Sequence, residues 1–61
     1  MNLYKVIFND NKPVLTYQVS LTYWNNIDLL KEDGSINWLP ILALNEQDSI
    51  DIAAKIIIEA L

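Results

Sequence analysis

From Val14 to Tyr23 apolar and polar residues alternate along the chain. Leu15, Tyr17, Val19, Leu21 and Tyr23 fall on one side of an extended backbone, and Thr16, Gln18, Ser20 and Thr22 on the other. That is the pattern of a half-buried antiparallel strand with a wet outer face. Leu3-Tyr4-Lys5-Val6-Ile7-Phe8, rich in β-branched and aromatic residues, reads as an earlier strand. Asn9-Asp10-Asn11-Lys12-Pro13 between them is a cluster of turn formers. The two segments are expected to form a hairpin with Leu15, Tyr17 and Val19 turned inward. Phe8 and Tyr17 are expected to pack in the core.

The middle of the chain admits two readings. Asp33-Gly34, set between Ile27-Asp28-Leu29-Leu30 and Ile36-Asn37-Trp38-Leu39, is a hairpin signal. A helix from about Leu21 to Lys31 competes with it, with Ser20 as N-cap and Gly34 beyond its end. The hairpin is favoured, because alternation persists through Tyr23 and Asn25-Asn26 is a natural break. Ile36 to Leu44 is a strand on either reading. Pro40 cannot donate to a ladder, so this strand should lie at an edge or carry a bulge there.

Asn45-Glu46-Gln47-Asp48 opens a helix. Asn45 can cap it, and Glu46 and Asp48 suit the positive end of its dipole. From Ile50 to Leu61 the only charged residues are Asp51, Lys55 and Glu59. At 100° per residue they form one narrow stripe and leave an apolar arc of roughly 240°, well beyond the roughly 100° that a helix on one sheet needs. Ile50, Ala53, Ala54, Ile57 and Leu61 are expected to face the sheet. Ile52 and Ile56, with Ile58 on the opposite flank, are left over and are expected to form a self-association interface. The predicted fold is α+β: an antiparallel sheet of three to four strands, built from hairpins, followed by one C-terminal helix packed on a face of the sheet.

Sixty-one residues form a single domain, 1–61, and a chain this short buries only about 60% of its unfolded surface. Small domains usually gain support from disulfides, a metal or an oligomeric contact. The chain has no Cys and no His, so disulfides, thiolate sites and the commonest transition-metal ligand are excluded. Self-association, most simply a homodimer, or binding to a protein partner is the remaining source of support. This argument is independent of the helix.

The net charge is −4, from eight acids against Lys5, Lys12, Lys31 and Lys55. A nucleic-acid binder needs a cationic footprint, and an anionic membrane surface favours one too, so neither direct nucleic acid nor membrane is expected as a partner. No apolar run reaches the length of a membrane span. The N-terminus lacks the basic and apolar blocks of a signal peptide, so a cytoplasmic location is expected.

Catalysis finds little to work with. Ser20, Ser35 and Ser49 have no histidine to serve them, and Ser35 and Ser49 fit a turn and a helix start. The single glycine, Gly34, cannot make a glycine-rich phosphate loop. Asp28, Glu32 and Asp33 could form a carboxylate pair, but acids around a turn are usually just solvated. No enzyme activity, cofactor or metal site is expected. Trp24 and Trp38 are candidate partner-binding anchors, since Trp is a frequent interface residue. Asp28, Glu32 and Asp33 are the acidic candidates.

The expected function is a non-catalytic, acidic protein-binding module that occupies a site on another protein, as a homodimer. One alternative is an acidic DNA mimic that blocks a nucleic-acid-binding protein. Another is a small subunit of a larger assembly that uses the Ile36–Leu44 edge for strand addition. The many Ile, Asn, Lys and Asp residues suggest an AT-rich coding source, and Met1 suggests a complete small frame. Both fit a phage or mobile-element inhibitor of a host protein, acting in the host cytoplasm.

Overall fold

The computed structural model describes residues 1–23 and 28–60. Strands β1 (Asn2–Asn9), β2 (Lys12–Val19) and β3 (Trp38–Ala43) precede a single helix, α1 (Glu46–Ala60). The sheet is antiparallel, in the order β2-β1-β3. The α+β architecture predicted above is therefore present, with three strands and a helix packed on one face.

The first hairpin turns at Asp10 and Asn11, whose φ angles are 52° and 59°. Two left-handed residues in succession are what a two-residue type I′ turn demands, and Asp and Asn tolerate that region better than other side chains. The ladder then slips: Asn9 pairs with Lys12 and Phe8 with Pro13, but Ile7 pairs with Leu15. Val14 is the extra residue of a β-bulge. From Leu15 onward every β2 side chain is thereby moved to the other face.

This overturns the expected orientation of β2. Leu15, Tyr17 and Val19 stand beside Ile7, Lys5 and Leu3 on the face away from the helix. Thr16, expected to be wet, stands beside Val6 on the helix side. Phe8 is in the core as expected, whereas Tyr17 is not. The strand also stops earlier than its alternation suggests. Tyr23 N–H donates to Ser20 O at 2.8 Å, and Thr22 N–H donates to Ser20 Oγ at 3.2 Å. Ser20 thus turns the chain by a local bond that competes with strand continuation.

The favoured hairpin reading of the middle holds in short form. Gly34 N–H donates to Lys31 O (2.9 Å) and Lys31 N–H to Ser35 O (2.8 Å), and Leu30 bridges Ile36. Gly34 sits at φ 86°, where a side chain would be strained. None of residues 20–23 and 28–31 is helical. Trp24, Asn25, Asn26, Ile27 and Leu61 lie outside the described residues.

Pro40 lies on the edge strand β3, as its missing N–H requires. Phe8 N–H donates to Asn37 O at 2.9 Å. The even residues of β1 therefore turn their backbone groups toward β3, and the odd residues turn theirs toward β2. Pro40 is opposite Lys5, so its nitrogen points off the free edge and no ladder bond is lost.

Asn45 caps α1. Asp48 N–H donates to Asn45 Oδ1 (2.8 Å), and Asp48 Oδ2 accepts from Leu44 N–H (2.9 Å). The core joins Ala53 and Ile57 to Tyr4, Val6, Phe8, Ile41 and Ala43. Ser49 is fully buried at the same interface. Its Oγ donates to Glu46 O at 2.6 Å and lies 2.8 Å from Thr16 Oγ1. With its own hydrogen committed to Glu46, Ser49 accepts from Thr16 and ties α1 to β2.

Two stability outcomes follow. Asn11→Val should lower stability by about 1–2 kcal/mol, while Asn11→Gly should leave it level or raise it by up to about 1 kcal/mol, as read by urea unfolding. Ser49→Ala should cost about 1–2 kcal/mol by stranding the Thr16 hydroxyl. Adding Thr16→Val should recover much of that loss, so a double-mutant cycle should show coupling of about 1 kcal/mol.

Candidate functional site

The strands direct two charged residues away from α1: Lys5 in the middle of the sheet, and Lys12 opposite Asn9 beside the first turn. Lys5 is half-buried, with Tyr17 opposite it on β2 and Pro40 opposite it on β3. Its Nζ donates to the Tyr23 hydroxyl at 3.2 Å and lies 4.6 Å from the Trp38 ring centroid and 5.6 Å from that of Tyr23. The two rings are tilted, 6.3 Å apart. A cation over aromatic faces is attracted by their quadrupoles, worth about 0.5–1 kcal/mol at an exposed site. The Tyr23 hydroxyl, accepting from Nζ, holds the Lys5 ammonium above its ordinary value, with partial burial pulling the other way.

Around this cation the surface is apolar. Leu15 is 53% exposed, Tyr17 42% and Leu42 54%. Leu42 pairs with Leu3 on β1, which is buried. No acid occupies the face: Asp10 is in the first turn, Asp28, Glu32 and Asp33 are in the second hairpin, and Glu46, Asp48, Asp51 and Glu59 are on α1. Exposed apolar side chains of β2 and β3 thus flank Lys5 on this face. Composition alone could not find it, but Lys5 was a signal, since a lysine in mid-strand marks its side of β1 as the one a helix does not cover.

The residues singled out from sequence are spread over the fold. Trp38 is buried beneath Lys5 rather than presented to solvent, and Trp24 lies outside the described residues. Asp28 is exposed at φ 61°, and its carbonyl accepts from Asn37 Nδ2 at 2.7 Å. Glu32 is exposed in the Lys31–Gly34 turn. Asp33 Oδ1 accepts from Ser35 Oγ (2.6 Å) and Ser35 N–H (2.9 Å). Those two bonds, the hydroxyl's first, hold its carboxyl below the usual range. Asp33 therefore has a structural task in its own turn. Among the described residues no three metal-ligating side chains gather into a site.

The three helix isoleucines do not form one patch. Ile52 is half-buried and packs against the core. Ile56 is 41% exposed beside it, and Ile58 is 72% exposed on the other side of the helix. None of the described helices is long and apolar enough to cross a membrane.

Tyr23→Phe should bring the Lys5 pKa down toward its ordinary value, as followed by NMR at Nζ. A raised folded pKa adds stability below the unfolded value and loses it as pH rises through the folded one. The stability gap between the wild type and Tyr23→Phe should therefore be full at neutral pH and narrow above about pH 10.

Comparison with protein-family models, with curated proteins and with solved structures returned no match.

Proposed function

We propose that this chain is a non-catalytic protein-binding module that works by occupying a site on another protein, with the sheet face opposite α1 as its contact surface. The supporting observation is the exposure of Leu15, Tyr17 and Leu42 on a face that carries no acid, in a chain of net charge −4. Burying such a face releases water from apolar surface at roughly 25 cal/mol per Å² and forces no carboxylate out of solvent. The absence of His and Cys from the sequence supports a role that depends on shape and burial rather than on bond chemistry.

The test is co-purification of the tagged protein from a lysate of its source cells. Wild-type and Ile58→Lys protein should retain the same partner, and Leu42→Lys should lose it, because only Leu42 is on the face. Retention should persist as salt is raised, since apolar burial is not screened. No partner from any extract, or one that Leu42→Lys retains equally, would overturn the proposal. Steep loss with salt together with sensitivity to Asp28→Asn and Glu32→Gln would assign the function to the acidic hairpin as a nucleic-acid mimic.

A further inference from the structure

The two edges of the sheet are unequal. On β3 the outward position opposite Lys5 is Pro40, which blocks strand addition. On β2, Leu15, Tyr17 and Val19 turn their backbone groups toward Ile7, Lys5 and Leu3. Thr16 and Gln18 are left with N–H and C=O directed outward. Among the described residues the only strand beside β2 is β1, and no turn or loop backbone group bonds to Thr16 or Gln18. From Pro13 to Val19 the strand carries no charge. Pro13, opposite Phe8, closes only the turn end of this edge, and the stretch from Leu15 to Val19 is neutral and keeps its outward N–H groups, which is where a second chain adds most readily.

We infer that the occupant of this edge is β2 of a second copy, paired antiparallel about a two-fold axis at Tyr17. That register sets Thr16 against Gln18 of the partner copy, and Gln18 against its Thr16, as the hydrogen-bonded pairs. It sets Tyr17 against the other Tyr17, and Leu15 against Val19, on the apolar side. Each apolar residue meets an apolar one and each polar residue a polar one, so the strand is complementary to itself, as a two-fold interface requires. No carboxylate lies on the pairing strand of a chain whose net charge of −4 otherwise opposes association. A two-fold axis normal to the sheet keeps both helices on one side and joins the two open faces on the other. This deepens the binding-module reading, because the joined faces would form its contact surface, but the pairing itself stands or falls separately.

The test is sedimentation equilibrium from low to high micromolar concentration, combined with disulfide trapping in a chain that has no cysteine of its own. Wild type should show reversible dimer formation. Gln18→Pro removes only an outward N–H and should weaken the dimer at least about tenfold while circular dichroism shows a folded monomer. If that variant does not fold, Tyr17→Lys, which sets like charges directly opposite one another, should give the same loss. Tyr17→Cys should form an intermolecular disulfide on mild oxidation, because directly opposed residues at such a position lie about 4.5 Å apart at Cα. Ile56→Cys and Ile58→Cys should not. A wild-type monomer at every concentration, a dimer indifferent to both edge variants, or trapping through Ile56 or Ile58 instead of Tyr17 would overturn the pairing. Partner capture is read separately by Leu42→Lys, on β3, which leaves the β2 edge intact, so loss of capture with an intact dimer, or the reverse, tells the two proposals apart.

Discussion

The β-bulge at Val14 decides which side of β2 the protein keeps for itself. Without it, the pairing set by the Asp10-Asn11 turn would run on unchanged, with Val6 opposite Leu15 and Tyr4 opposite Tyr17. The apolar side of β2 would then join Tyr4, Val6 and Phe8 beneath the helix. The extra residue reverses this, so that Ile7 meets Leu15 and Lys5 meets Tyr17. A strand has a side-chain period of two, and a slip of one residue exchanges its faces completely. The exposure of Leu15 and Tyr17 on the open face follows from that single insertion, while Leu42 reaches the same face through the regular β1–β3 pairing.

The helix takes the face that lacks Lys5. Covering Lys5 with α1 would strip water from an ammonium in mid-sheet, a cost that apolar packing around it would not offset. On the open face the same ammonium keeps partial access to solvent and gains the Tyr23 hydroxyl and two aromatic rings. On the helix face β2 presents Thr16 rather than a larger apolar group, and α1 meets it with the buried Ser49, in its first turns. The match is polar on polar inside an otherwise apolar contact, so it favours this placement of the helix over a slipped one, which would take from the Thr16 hydroxyl its Ser49 acceptor.

Much of this fold was legible from residue patterns, because its local devices have strong chemical signatures. Asn45 as a cap, Asp33-Gly34 as a turn and Pro40 as an edge marker each depend on a property of one or two residues. The face of β2 was not legible, because it depends on the count of residues between two ladder positions, and nothing in Lys12-Pro13-Val14 announces that one residue will be left unpaired. The end of β2 was hidden for a related reason: alternation continues to Tyr23, but the Ser20 side chain captures the backbone of Thr22 and the strand stops at Val19. The reversal of β2 carries Tyr17 to the surface, and Trp38 is buried separately, under Lys5. Trp38 looked like an interface anchor and is core, whereas Tyr17 looked like core and is surface.

The apolar surplus that the helix pattern implied has therefore moved more than it has disappeared. Ile52 is absorbed by the core, and Ile56 and Ile58 stay exposed but are separated around the helix. A second surplus is on the sheet, where the two outer strands bring Leu15 and Tyr17 (β2) and Leu42 (β3) onto one face on either side of β1. A helix flank and a sheet face differ in what can cover them. Scattered isoleucines at the rim of a helix are common on small proteins and bury little when capped singly. A flat apolar sheet face needs another layer. The chain has already used its one helix on the other side. Pairing at the β2 edge would not supply that layer, because it adds strands in the plane. It would instead widen the exposed part of that face while leaving its chemistry unchanged, so edge pairing and burial of the face are separate events with separate energetics.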